Sequence, residues 1–314
     1  MLRVNNMATY DYHAIKAKLK GSITALITPM TKDGAVDYPR LGELIDWQIE
    51  QGTDALVAVG TTGESATLSM SEHCAVIEFF VKYVGGRVPV IAGTGANNTA
   101  EAIELTTHAK KVGADCALLV VPYYNKPSQE GIYQHYKTIA EAVDVPQMLY
   151  NVPGRTVVDM TEDTVARLMT IPNIVAIKDA TGDLVRGKSL IERVGDNMVV
   201  LSGDDPTAVE LVRLGGKGNI SVTSNVAPKA MGQIFKLALD GKFDEANAIN
   251  DTIKHLHTDL FCEASPQPTK YALYKMGKID KGIRLPLVWL SEQSQAIIDK
   301  ALIKAQLINT ETNP

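Results

Sequence analysis

A lysine closes the apolar run in "IVAIKDATGD" (residues 174–183): Lys178 follows Ile174, Val175, Ala176 and Ile177, and only then does the chain turn polar. An ammonium group is costly to bury, so Lys178 either snorkels to solvent, pairs with Asp179 or Asp183, or is held for chemistry. An amine desolvated by apolar walls is the nucleophile of imine chemistry. It attacks a ketone, loses water and leaves an iminium that stabilises a carbanion on the neighbouring carbon. That reaction needs a proton shuttle, and Tyr150, Tyr124 and Thr61 carry hydroxyls at or just beyond the ends of other apolar runs. It also needs a cradle for a small carboxylate, which the N–H groups and hydroxyls of "GTTG" (60–63) at a helix start can supply.

Each of these features also has a plainer reading. "GTTGES" (60–65) serves equally as a tight turn with a helix cap, and it is no phosphate loop because no GK[ST] follows. "GTGANN" (93–98) says less still. Tyr123 and Tyr124 suit an ordinary aromatic rim, and Arg155, after the proline-glycine of "YNVPGRT", suits a solvated loop. None of the six histidines stands at the end of an apolar run, which argues against His-dependent hydrolysis. His255 and His257 are two apart in a helical pattern and so point to different faces. With no CxxC or HExxH, no metal site is expected, and no cofactor.

The elements that must position these residues follow a simple alternation. Apolar, β-branched-rich runs occur at 23–28, 54–59, 88–93, 116–121, 146–151, 174–178, 198–202 and 218–223. Between them lie amphipathic segments. "YPRLGELIDWQIEQG" puts Leu41, Ile45 and Ile49 on one stripe and stops at Gly52; "NTAEAIELTTHAKKVG" opens with Asn98 and Glu101 in capping-box spacing; Pro206 follows Asp205 at a plausible first helical position. Eight near-continuous apolar strands alternating with helices predict an α/β fold, a (β/α)8 TIM barrel, with a doubly wound open sheet as the alternative. Strand alternation would put Ile174, Ala176 and Lys178 on one face. Residues 226–314 carry only helical patterns, so we expect an N-terminal extension (1–20), a catalytic barrel (21–225) and a C-terminal helical extension (226–314) packed on it. The polar, glycine and aromatic residues then gather at the strand C-termini, the catalytic end of such a barrel.

Composition narrows the function classes. With 45% apolar and 21% charged residues in 314 and a net charge of −5, the chain is ordinary globular protein without the basic stripe of a nucleic-acid binder. The N-terminus lacks an apolar secretory core, with Met7 an alternative start, and no run of 18 apolar residues suggests a membrane span. Three widely spaced cysteines in apolar surroundings fit reduced thiols and a cytoplasmic location.

Taken together, "GTTGES", "AGTGANNTAEAI", "PYYNKPSQEGIYQHY", "LYNVPGRT", "IKDATGD" and "SGDD" closely resemble the dihydrodipicolinate synthase family, pyruvate-dependent class I aldolases related to N-acetylneuraminate lyase. The resemblance runs from about Gly21 to the C-terminal helices. It implies that Lys178 forms a Schiff base with pyruvate, with Tyr150 central in a proton relay completed by Thr61 and by a Tyr124 reaching in from a neighbouring subunit. It implies that Thr62 holds the pyruvate carboxylate, that Gly203 and Ile220 contact ligand through their backbone, and that Arg155 binds the carboxylate of aspartate semialdehyde. Arg155 and the Thr61-Thr62 pair favour the synthase over the neuraminate lyases, since a guanidinium fork suits a second carboxylate. A homotetramer built as a dimer of tight dimers is implied too. So is an inhibitory L-lysine site at Ser65, Ala66, His73, Asn97, Glu101 and Tyr123, with Met70 standing where strongly lysine-sensitive members carry histidine. A catalytically dead paralogue is the rival from another class, and the complete relay speaks against it.

Overall fold

The computed structural model describes residues 10–309; Met7 lies outside them. Strands β1 (Gly21–Ala25), β2 (Ala55–Ala58), β3 (Val90–Gly93), β4 (Cys116–Val120), β5 (Gln147–Asn151), β6 (Ile174–Asp179), β7 (Val199–Ser202) and β8 (Gly218–Ser221) form a closed parallel barrel in sequence order. Each overlaps one of the apolar runs. Nearly every strand residue is buried, because side chains alternate between the barrel interior and the helical ring and neither face meets water. Closure of the barrel excludes the open doubly wound sheet.

Alternation fails at one point on β6. Gln147 pairs with Ile174, but Met148 pairs with Ala176, so Val175 is an extra residue on β6, a bulge. Ile174 consequently packs outward with Ile177 among helix residues, while Val175 and Ala176 join the interior cluster. The expectation that Ile174 shares the face of Lys178 is thereby corrected; beyond the bulge, period two is restored and Ala176 and Lys178 stay in phase.

The helices keep their expected places with local differences. Helix Tyr38–Glu50 buries Leu41, Leu44, Ile45 and Gln48, and Ile49 is only half-buried, so its inward stripe is wider than one residue every fourth. Asn98 caps helix Thr99–Val112 by accepting from the Ala100 N–H, and Glu101 lines a cavity instead of closing a capping box. Pro206 is the second residue of a 3-10 turn, Asp205–Thr207, which leads into helix Ala208–Arg213.

Residues 10–20, expected as part of an N-terminal extension, are built into the strand-start end of the barrel. Helix Tyr12–Lys18 and the residue that follows it insert Ile15 and Leu19 into the interior cluster. Tyr10 Oη donates to the Ala114 carbonyl (3.0 Å) and Lys16 Nζ to that of Asn197 (3.2 Å), both just before strands. Burying two aliphatic side chains there stabilises the seal by roughly 3–6 kcal/mol. At the other terminus, helix Pro228–Leu239 packs on β1 and β8 and supplies the eighth helix of the ring. Helices Phe243–Ile253, Leu256–Asp259, Gln267–Lys275 and Glu292–Lys304 follow, and Ile253, Leu256, Leu273 and Leu302 share one continuous core with Leu26, Leu41 and Leu56. Among the described residues no helix is long and apolar enough to cross a membrane.

Candidate active site

Lys178 lies at the C-terminal end of β6, directly opposite Tyr150 on β5 and Leu201 on β7. Both Lys178 and Tyr150 are buried (6% exposed), and the Lys178 Nζ stands 4.3 Å from the centre of the Tyr150 ring. A lysine nitrogen over an aromatic face is attracted by the ring quadrupole, a contact that supplies no counter-charge. The plainer alternatives for this lysine do not hold. Asp179 accepts from Arg186 Nε (2.8 Å) and the Thr181 N–H (3.1 Å), and Asp183 caps the next helix through the Val185 and Arg186 N–H groups. No ion pair reaches Lys178 among the described residues, and its side chain does not snorkel.

Gly203, just past β7, explains itself through this lysine. A Cβ there would come within 2.6 Å of Lys178 Cε and 3.1 Å of its Cγ, so only glycine lets the backbone lie along the stem. Ile220 on β8 is buried in the same interior cluster as Tyr150.

Thr61 joins Tyr150 in lining a small cavity over the ends of β2 to β5. Thr61 also lines a larger cavity of about 240 Å³ together with Arg155. Thr62 is buried beside it. Two non-glycine residues in left-handed backbone flank this pair, Val59 at φ +54° and Glu64 at φ +58°, both buried. Such conformations cost about 1–3 kcal/mol each and persist where the surroundings over-determine them. Glu64 is held in an ion pair with Lys270, and both side chains are wholly buried.

Arg155 sits on the short helix Pro153–Thr156 after β5, exposed at the mouth, with one amine donating to the Ser265 carbonyl (3.4 Å). Asn151, the last residue of β5, organises that loop: its Nδ2 donates to Asp159 (2.7 Å) and its Oδ1 accepts from the Met160 N–H (3.0 Å). Tyr124 is not brought to the others within one chain. It is 90% exposed with φ +73°, a left-handed backbone that turns its ring outward.

Ser65, Ala66, His73, Glu101 and Tyr123 line the same cavity as Thr61 and Arg155, and Asn97 joins through its Nδ2, which donates to the Tyr123 carbonyl (3.2 Å). His73 donates from Nε2 to the Gly93 carbonyl (2.7 Å), and burial holds it below the usual imidazole range, so it is neutral. Met70 is half-buried at the first position of helix Met70–Val84. No cluster of three or more His, Cys, Asp or Glu suited to a metal occurs among the described residues.

Sequence reasoning did not find Glu64, Lys270, Asn151 or Arg186. Only the burial of Glu64 and Lys270 marks them, and their separation along the chain hides it. Asn151 carried no partner assignment, and Asp179 was weighed as a partner for Lys178 when its partner is Arg186.

The model of the Dihydrodipicolinate synthetase family matches residues 18–305. The 4-hydroxy-tetrahydrodipicolinate synthase of Psychrobacter arcticus is 69% identical over 297 residues, covering 95% of this chain and 99% of that protein. The crystal structure of the chloride-inhibited dihydrodipicolinate synthase of Acinetobacter baumannii complexed with pyruvate superposes with a TM-score of 0.91 at 58% identity, covering 92% of this chain and all of that one. The Cyanidioschyzon merolae enzyme, solved with lysine bound, gives a TM-score of 0.90 at 40% identity over 93% of this chain and 99% of that one.

Proposed function

The chain belongs to the dihydrodipicolinate synthetase family, and on that premise we propose that Lys178 is the amine on which its chemistry runs. It is a lyase that condenses pyruvate with L-aspartate 4-semialdehyde to 4-hydroxy-tetrahydrodipicolinate, the entry to the lysine and diaminopimelate branch. The observation that carries the assignment of Lys178 is its burial at a strand C-terminus against Tyr150 with no carboxylate partner.

The roles follow from that geometry. The Lys178 lone pair attacks the ketone carbon of pyruvate, and a proton delivered to the carbinolamine hydroxyl lets it leave as water. Tyr150, against the amine, is the donor placed for this, with Thr61 beside it in the same cavity. The iminium acidifies the methyl carbon, whose proton passes to the Tyr150–Thr61 relay. The resulting enamine forms the new carbon–carbon bond to the aldehyde, and the relay returns a proton to the aldehyde oxygen, which becomes the hydroxyl. The substrate's own amine then attacks the iminium carbon, displaces Lys178 and closes the ring. Thr62 and the N–H groups after β2 hold the pyruvate carboxylate; Gly203 and Ile220 contact ligand through their backbone. Arg155 at the mouth holds the second carboxylate.

Tyr124 completes a partner subunit's relay, and its outward ring supports a tight dimer, doubled into a homotetramer. The cavity residues Ser65, Ala66, His73, Glu101 and Tyr123, with Asn97 bonded to the Tyr123 carbonyl, receive L-lysine as an inhibitor, with Met70 weakening that response. The three cysteines are free, which fits a reducing, cytoplasmic compartment. Borohydride reduction in the presence of pyruvate, followed by peptide mass mapping, tests the central assignment. A mass increment on the Lys178 peptide is expected, and its absence would sink the mechanism.

A further inference from the structure

We propose that the buried Glu64–Lys270 pair is a positioning device for the Thr61-Thr62 loop, by which the C-terminal helices set the affinity for the first substrate. The inference rests on the roles given above to Thr61 and Thr62.

Glu64 follows those threonines by two residues, is 2% exposed and holds a left-handed backbone that a β-carbon disfavours. Lys270, on helix Gln267–Lys275, is 0% exposed; besides Glu64 it donates to the Gly282 carbonyl (3.0 Å). The Arg284 N–H approaches the second Glu64 oxygen (3.4 Å), and the Thr28 hydroxyl donates to the Gly63 carbonyl (2.7 Å). The loop is thus tied at Gly63 to the barrel and at Glu64 to a segment some two hundred residues downstream.

Burying two charges gives little net stability, because desolvation offsets their attraction, so a wholly buried pair is weak evidence for a stabilising role. What it can supply is a fixed geometry, and the left-handed residue it grips is a conformation that needs one. The same C-terminal segment also reaches the loop after β5, where the Ser265 carbonyl accepts from Arg155 (3.4 Å). That contact is single, exposed on the arginine side and long. The C-terminal helices therefore hold the threonine loop firmly and Arg155 lightly.

The test uses the full-length chain with Glu64→Gln/Lys270→Met, which removes both charges and strands neither. The expected result is a melting temperature near that of the parent and a trappable pyruvate adduct on Lys178. The KM for pyruvate should rise about tenfold or more with a reduced kcat, while the KM for the aldehyde stays within about twofold. Should that variant not fold, Lys270→Arg, which keeps the charge but changes its reach, is read by the same split between the two KM values. Equal shifts in both constants, the mark of general loosening, or no shift in either, overturn the proposal. Failure to trap pyruvate on the unsubstituted chain would instead remove the underlying reading, so the two failures are distinct.

Discussion

Tyr150 and Lys178 are register partners across β5 and β6, and the lysine nitrogen rests over the tyrosine ring at 4.3 Å. The contact uses the ring face, which leaves the phenol hydroxyl free to serve a proton relay. Tyr150→Phe keeps the ring and its packing and deletes only the hydroxyl. It should lower kcat by roughly 10²–10⁴-fold, the usual worth of a positioned acid–base group. Pyruvate should still be trapped on Lys178, more slowly. A variant with near-parental kcat in steady-state assay would remove Tyr150 from the relay.

Arg155 is exposed, so its replacement has little effect on the fold. In the proposed mechanism its guanidinium holds the aldehyde's carboxylate, and charge-assisted hydrogen bonds contribute about 1.5–3 kcal/mol. Arg155→Ala should therefore raise the KM of the aldehyde or lower kcat/KM for it by roughly 10–150-fold, with pyruvate KM little changed. Initial-rate kinetics with each substrate varied in turn will show whether the loss is confined to one.

Much of this was legible before the structure. Eight apolar runs became eight strands because a parallel barrel buries both faces of each, and that leaves a continuous apolar signature. Lys178 stood out as a charge closing such a run, and the strand ends with the loops after them carried the rest of the candidate site. Contacts between distant segments were not legible. Nothing in the local sequence around Glu64 announces a lysine at 270, and the left-handed turns at Val59, Glu64 and Tyr124 fall on residue types that do not advertise them. The bulge at Val175 was hidden for a related reason: with every neighbour apolar, a one-residue slip changes no hydrophobic pattern.

Acid should destabilise the protein through His135. Its Nδ1 is within 2.9 Å of the Thr99 hydroxyl, its Nε2 is buried with no hydrogen-bond partner, and burial pushes its pKa from 6.5 down to about 4. The folded value lies below the unfolded one, so protons bind the unfolded chain first. The stability associated with a neutral His135 is whole above about pH 6.5 and drains away as the pH falls to about 4. The loss across that window is on the order of 2–3 kcal/mol. Denaturant unfolding at pH 7, 5 and 4 should follow this slope, and His135→Asn should flatten it; an imidazole signal titrating near pH 6.5 would contradict the assignment.

L-Lysine should slow the reaction at millimolar concentration, and Glu101 is the residue by which to probe it. Among the cavity's lining, Glu101 is the carboxylate, and an amino-acid ligand with two ammonium groups needs such an acceptor. Glu101 leaves the Asn98 cap unreciprocated, which frees its carboxylate for the cavity. Glu101→Gln keeps the shape and removes the charge, so the concentration for half-inhibition should rise about tenfold or more, the worth of one charge-assisted contact. Met70→His tests the other half of the expectation. A histidine at the first turn of helix Met70–Val84 should lower the half-inhibitory concentration, since it adds a polar group to those of Ser65, His73, Glu101 and Tyr123 where a half-buried thioether now stands. Calorimetric titration of lysine against all three proteins separates the effects: binding that is equal in all three would place the inhibitor elsewhere.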